Sequence, residues 1–312
     1  MTTSLLTHAV CIDHDTSENH PESPERLRRI LKRLKTPEFD KLHFQEAPKA
    51  DILQISTVHP KNQIDRIFSK IPKTGYSKVD RDTIASPKSG EAALRAAGAV
   101  IAAVDVVMSG MSRNAFCATR PPGHHAESNQ SMGFCLFNNV AIGAFHARDR
   151  YKLDRIAVMD FDVHHGNGTQ KTFWSEPSML YASTHQSPLY PGTGMSSERG
   201  ETNNIINIPL SPGSGSNEFR NAMSDKILPE IFDFKPNFIF ISAGFDAHSQ
   251  DPLAQLNLKT NDYVWATEKL CDLADKFCDG RLVSTLEGGY DLNALEECVA
   301  EHVQTLMKRS SA

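Results

Sequence analysis

Apolar and polar positions along the chain follow two rhythms that take turns. Short apolar, β-branched runs occupy Ala115–Ala118, Ile156–Val163, Met179–Thr184, Ile205–Leu210, Phe238–Ser242 and Leu282–Leu286, and each has the length and composition of a strand. Longer amphipathic stretches lie between them, at about 24–35, 89–108, 138–149, 216–233, 260–278 and 293–308, and their periodicity predicts helices. Ser23 followed by Pro24 reads as an N-cap with proline in the first helical position, and Pro60 starts another helical turn. Strand alternating with helix predicts an α/β fold with a mainly parallel sheet covered by helices on both faces.

The sequence contains no internal repeat, low-complexity tract or long linker. Its loop-rich segment, 185–217, holds Ser187-Pro188, Pro191-Gly192-Thr193-Gly194 and Ser211-Pro212-Gly213-Ser214-Gly215. Such a stretch inside a compact domain is more often functional surface than a boundary. Residues 1–312 are therefore expected to form a single domain.

Composition changes this picture little. Of 312 residues, 39% are hydrophobic and 23% charged, enough for a substantial core and unlike a disordered chain. The formal charge of −5 provides no global basic field for nucleic acid or anionic membranes, so neither is expected as a partner. The densest basic run, Arg26, Arg28, Arg29, Lys32, Arg33 and Lys35, reads as the solvated face of a helix. The six cysteines form no CxxC pair and read as reduced thiols, several of them buried. No signal-peptide pattern and no membrane-length apolar run is present, so a soluble cytoplasmic protein is expected.

Candidate chemistry clusters just after the strand-like runs. Phe116–Thr119 leads into Arg120-Pro121-Pro122-Gly123-His124-His125, and Ile156–Met159 into Asp160-Phe161-Asp162-Val163-His164. Phe238–Ser242 leads to Asp246, and Leu282–Leu286 to Glu287-Gly288-Gly289-Tyr290. In an open parallel sheet the strand C-termini share one edge, where ligands bind. Period-two geometry sends Asp160, Asp162 and His164 to one side of an extended backbone. With Asp246 arriving from another strand, two carboxylates and one imidazole suit a borderline divalent ion such as zinc and leave a fourth position open. Taken alone, Asp160 and Asp162 could instead cap the following helix. The adjacent His124 and His125 suit proton transfer near neutral pH. Tyr290, behind two glycines, can aim a phenol at a developing oxyanion. His165, His185 and His248 read as supporting or loop histidines.

The segments RPPGHHAES, GFCLFNNVAIGA, VMDFDVHHGNGTQ, SAGFDAH with DPL, and LEGGY, preceded by ENHPESPERL, together resemble the zinc-dependent histone deacetylase family with its bacterial amidohydrolase and acetylpolyamine relatives. Asn167 and the HPESPER segment resemble its class II branch. The resemblance implies the arginase/deacetylase fold, a single α/β domain around an eight-stranded, mainly parallel sheet. It implies one zinc ion on Asp162, His164 and Asp246. It also implies a structural potassium ion held by Asp160 and by backbone around Asp162, His164, Ser183 and Thr184. His125 would be the main base, oriented by Asn167, and His124 its electrostatic partner, oriented by Asp160. Gly133, Phe134 and Tyr190 would wall an acyl-lysine tunnel, with Gly288 and Gly289 beside the substrate and Asp82 near the loop that grips the substrate backbone.

Two positions refine the expectation. Position 290 is tyrosine, whereas the poorly active class IIa branch has histidine, so full competence is expected. Leu253 stands where polyamine-selective relatives place a glutamate, which favours acyl-lysine over free acetylpolyamine. The expected activity is removal of acetyl or other acyl groups from lysine side chains of a peptide, a protein or a small acylated amine, with hydroxamates as inhibitors. The rivals are an acetylpolyamine amidohydrolase, a non-catalytic acyl-lysine binder and an arginase-type dimanganese hydrolase. The last needs a further carboxylate two residues beyond His164, where Gly166 stands.

Overall fold

The computed structural model describes residues 2–311, so Met1 and Ala312 at the ends of the expected domain lie outside it. Among the described residues there are ten strands: β1 (Thr3–Thr7), β2 (His43–Glu46), β3 (Ser77–Lys78), β4 (Ile84–Ala85), β5 (Asn114–Cys117), β6 (Ile156–Asp160), β7 (Met179–Gln186), β8 (Ile205–Leu210), β9 (Phe238–Ala243) and β10 (Leu282–Leu286). Eight of them form one sheet in the order β2-β1-β5-β10-β9-β6-β7-β8, and β3 and β4 form a separate hairpin. Every neighbouring pair in the large sheet is parallel.

Strand side chains alternate between two apolar layers, as the period-two backbone requires. Ala115, Cys117, Ile156, Val158, Phe238, Phe240 and Val283 enter one layer. Phe116, Ala157, Met159, Ile239, Ile241, Leu282 and Leu286 enter the other. Helices Ser89–Met108 and Asn139–Tyr151 close the first layer, while Pro24–Arg33, Thr260–Phe277 and Leu292–Ser311 close the second. Both faces are dry, which is why the central strands read as continuous apolar runs.

Three expectations need correction. The run Ile156–Val163 is a strand only to Asp160, because the carboxylates of Asp160 and Asp162 accept the backbone N–H groups of Asp162 and His164 and turn the chain out of the ladder. The helix expected at 216–233 is Ser216–Ala222 and Leu228–Phe234 joined by a π turn at Met223–Ile227. Pro229 has no N–H to bond the preceding turn, which favours such a bulge. Arg26, read as part of a solvated face, is fully buried. Its guanidinium donates to the Gly289 carbonyl (2.6 Å), Glu22 (2.9 Å) and the Glu287 carbonyl (2.5 Å). All six cysteines are free and buried. Among the described residues no helix is long and apolar enough to cross a membrane.

Candidate metal centre and active site

Four strands that are consecutive in the sheet, β5, β10, β9 and β6, deliver the candidate residues to one edge. The segment after β6 supplies Asp162 and His164, and β9 leads to Asp246. Their ligand atoms all lie within 4.8 Å of one another. His164 Nδ1 is 3.1 Å from Asp162 Oδ1 and 3.1 Å from Asp246 Oδ2. The remaining carboxylate oxygens are held from behind: Asp162 Oδ2 accepts the Gly288 N–H (2.8 Å), and Asp246 Oδ1 accepts the Val163 N–H (2.8 Å).

Two glycines make this convergence possible. A Cβ at Gly244 would lie 2.0 Å from Asp162 Oδ2, and one at Gly288 would lie 2.2 Å from Asp246 Oδ2. Burial alone would lower the His164 pKa, yet Asp162 and Asp246 raise it to about 10. A proton on Nδ1 thus sits where positive charge is strongly favoured. Burial and the nearby Asp162 raise Asp246 to about 7. Two buried carboxylates and an imidazole with their outer oxygens already satisfied fit a tetrahedral divalent ion with an open position.

The tandem histidines stand beside this cluster on the turn after β5. Their rings are 4.0 Å apart between centroids, and each Nδ1 has a different partner. His124 Nδ1 lies 3.0 Å from Asp160 Oδ2, and His125 Nδ1 lies 2.9 Å from Asn167 Oδ1. Burial would drive His124 toward neutrality, but Asp162 and Asp160 outweigh it and raise its pKa well above the usual histidine range. Burial and the neighbouring His124 push His125 well below that range. The surroundings therefore push the two rings apart, His124 toward its charged form and His125 toward its neutral one. His124 Nε2 is 3.8 Å from Asp162 Oδ1.

A cavity of about 270 Å³ opens over the cluster, lined among others by His125, His164, Phe134, Tyr190, Leu253 and Tyr290. Asp82 and Gly133 also line it. The Tyr190 ring meets the His125 ring edge to face at 5.1 Å, and Phe134 meets Tyr290 at 5.9 Å. Gly133 and Phe134 both have positive φ, at 57° and 68°. Asp82 Oδ1 holds the Gly133 N–H at 3.1 Å, and Thr83 Oγ1 holds the Phe134 N–H at 3.1 Å. At Gly133 a Cβ would be 2.3 Å from the His125 ring, so this turn and the histidine require each other's shape. Gly289, at φ 123°, turns the chain before Tyr290.

The residues expected around potassium lie one layer deeper. Asp160 is the register partner of Ser183 on β7, and its Oδ2 also accepts the Tyr181 hydroxyl at 3.1 Å. Ser183 and Thr184 are buried, and Ser183 Oγ is 2.9 Å from His185 Nδ1. His165 Nδ1 contacts Thr193 Oγ1 (2.7 Å) and His185 Nε2 contacts the Gly194 carbonyl (2.9 Å), so both histidines anchor the loop that carries Tyr190. His248 is buried and accepts the Gln250 N–H of its own loop.

Three groups around the site were not anticipated. Glu22 bridges Arg26 and Arg120, all three fully buried beneath the Gly-Gly-Tyr turn. Asp251 accepts the Tyr290 and Leu253 N–H groups at 2.7 and 3.0 Å. Glu287 accepts N–H groups of the tandem-histidine turn. A signal existed for Arg26: it lies four residues before Ile30, on the apolar face of its helix.

The arrangement is that of a hydrolase of the α/β class with its reaction centre at the carboxyl edge of a parallel sheet. Residues 20–306 match the histone deacetylase domain, and the chain belongs to the histone deacetylase family. It is 37% identical to the histone deacetylase-like amidohydrolase of Pseudomonas aeruginosa, over 87% of this chain and 72% of that protein. It is 38% identical to a probable deacetylase of Archaeoglobus fulgidus, over 94% and 82% respectively. The crystal structure of the HDA15 HD domain superposes with a TM-score of 0.93 at 33% identity, covering 100% of this chain and 89% of that one. These matches support an amidohydrolase activity acting on acylated amines.

Proposed function

We propose that the chain is a zinc-dependent lysine deacylase whose single catalytic domain spans 1–312. The observation that carries this reading is one cavity lined by His164 of the Asp162–His164–Asp246 cluster, by His125 and by Tyr290. Zinc held by these three ligands would supply a Lewis acid for the acyl carbonyl and a means of activating water at neutral pH. His125, whose Nδ1 is committed to Asn167, offers Nε2 to take the proton of the attacking water. His124, braced by Asp160 and favoured in its charged form, would stabilise negative charge that develops beside it. Tyr290 donates its hydroxyl to the oxyanion. The protonated imidazole then returns a proton to the leaving amine as the C–N bond breaks, giving a carboxylate and a free lysine.

Phe134 and Tyr190 suit the walls of a channel for an apolar butyl chain, and Asp82 its mouth. Gly288 and Gly289 would let the backbone lie close to the acyl group. Potassium behind the centre would be held by Asp160 and by backbone around Asp162, His164, Ser183 and Thr184. A cytoplasmic location accords with this role. Leu253 on the cavity wall offers no carboxylate to a second ammonium, which supports acyl-lysine over a free acetylpolyamine.

The test compares acetyl-lysine peptides, longer acyl-lysines and acetylpolyamines as substrates. Turnover of acyl-lysine, abolished by chelation and by a hydroxamate, is expected. No turnover on any acyl substrate at full zinc occupancy would favour a non-catalytic acyl-lysine binder. Two transition-metal ions per chain would reopen the arginase-type alternative.

A further inference from the structure

Glu287 is the first residue beyond β10 and is fully buried. Its Oε2 accepts the Gly123 N–H at 2.7 Å and the His124 N–H at 3.2 Å, and its Oε1 accepts the Ser242 hydroxyl at 3.3 Å. Its backbone is fixed as well: the N–H donates to Ala243 (2.9 Å), and the carbonyl accepts from Arg26. Among the described residues no cationic side chain is hydrogen-bonded to the carboxyl group. Burial raises its pKa to about 7, with His124 and the Gly123 N–H pulling the other way. A carboxyl group kept in such a place costs stability. An apolar side chain of similar size would avoid that desolvation but leave the Gly123 and His124 N–H groups unbonded.

The next residue shows what the arrangement achieves. The Gly288 N–H holds Asp162 Oδ2, and its Cα fits against Asp246. Residues 287 and 288 thus reach in two directions, one to the turn that carries the tandem histidines and the other to the metal-site carboxylates. From this we infer that Glu287 is a positioning residue: it clamps the Gly123–His124 backbone so that His124 and His125 keep a fixed distance from the Asp162–Asp246 cluster. The inference rests on the deacylase reading above for its catalytic consequence, but the clamp itself is a structural statement. Asp160 and Asn167 orient the two rings, whereas Glu287 sets the height of the backbone from which both rings project.

The variants are Glu287→Gln, which keeps one acceptor oxygen, and Glu287→Met, which keeps the length and none. With an acetyl-lysine peptide, E287M should lose roughly 10–100-fold in kcat, the scale of a misplaced catalytic group. KM, zinc content and hydroxamate affinity should stay within about twofold, and E287Q should recover part of kcat. A merely structural role would lower thermal stability, zinc content and hydroxamate affinity together. That result, or wild-type kcat in E287M, overturns the inference. The amide protons of Gly123 and His124 provide a readout that needs no turnover. They should move upfield and exchange faster in E287M than in the wild type, and unchanged amides refute the clamp. A wild-type chain inert toward every acyl substrate would refute the deacylase reading instead, and the amides would still decide the clamp.

Discussion

Arg26→Met is the most direct test of how the site is held from beneath. In the folded chain the guanidinium makes three hydrogen bonds at 2.5–2.9 Å, and its carbon lies 5.0 Å from the centre of the Tyr290 ring. Methionine fills most of the space but donates nothing. The Gly289 and Glu287 carbonyls then lose their donor, each at about 1–3 kcal/mol. Glu22 keeps Arg120, which donates to both of its carboxylate oxygens, so it is not left as an isolated buried charge. Breaking a buried ion pair from one side typically costs about 3–5 kcal/mol, and the shared network keeps the total within that range rather than at the sum. For a chain of this size the melting temperature should fall by roughly 5–8 °C. Arg28→Met on the same helix is the control. Arg28 pairs with Glu25, both side chains are half exposed, and the effect should stay within about 0.5 kcal/mol. Urea unfolding followed by far-ultraviolet circular dichroism, with the slope held common, measures both. Equal midpoints for the two variants would show that the buried guanidinium contributes nothing beyond its packing.

Tyr290→Phe should keep fold and zinc while losing about 10²–10³ in kcat, as for removal of one oxyanion donor; near-wild-type turnover would take Tyr290 out of the mechanism. Gly288→Ala forces a Cβ to within 2.2 Å of Asp246 Oδ2, so zinc content by mass spectrometry under native conditions should drop well below one per chain, and full occupancy would contradict the packing at that position. Acid should destabilise the fold from about pH 6.5 downward. Burial holds His302, His14 and His185 at about 3 and His59 at about 4, below their unfolded value. At these four positions the folded state therefore binds fewer protons than the unfolded one between those limits. Their contribution to stability is fully present above about 6.5 and is lost as pH falls toward 3. His302→Gln, still able to bond Thr267 and Ser284, should flatten that decline when urea midpoints are compared at pH 7 and pH 5, and an unchanged pH slope would refute it.

How much of this could be read from the chain depended on what each residue faces. The strands β5, β6, β9 and β10 were legible because both of their faces are buried, so apolar residues dominate them up to the functional edge. β2, His43–Glu46, was not, because it lies at the sheet edge and its side chains are mostly exposed. β1 was hidden for another reason: Thr3 and Ser4 are buried but bonded to Asn114 and Ser112, so their polarity disguised a core strand. Arg26 was misread because a list of basic residues ignores phase. Its helix buries Leu27, Ile30 and Leu31, and position 26 falls on that side. The role of Glu287 had no local signal at all, since its partners Gly123 and His124 are 164 and 163 residues away.

The Asp160–Asp162–His164 spacing shows how a correct grouping can follow from the wrong geometry. An extended strand would put the three side chains on one side by alternation, yet the ladder ends at Asp160. What keeps them together is the chemistry of aspartate itself. Asp160 Oδ1 takes the Asp162 N–H at 3.1 Å and Asp162 Oδ1 takes the His164 N–H at 2.9 Å, so each carboxylate fixes the backbone two residues ahead. The helix-capping alternative was therefore partly right about what these side chains do, because both bond local backbone. It was incomplete, because the second oxygen of each is spent elsewhere: Asp160 Oδ2 on His124 and Tyr181, Asp162 Oδ2 on Gly288. A residue that turns its own chain with one oxygen and reaches a distant segment with the other leaves little freedom in either. Asparagine at 160 or 162 would keep the turn but put an amide where the second acceptor must be. The two-residue spacing is thus set by the turn, and the requirement for aspartate by the contacts across the sheet edge.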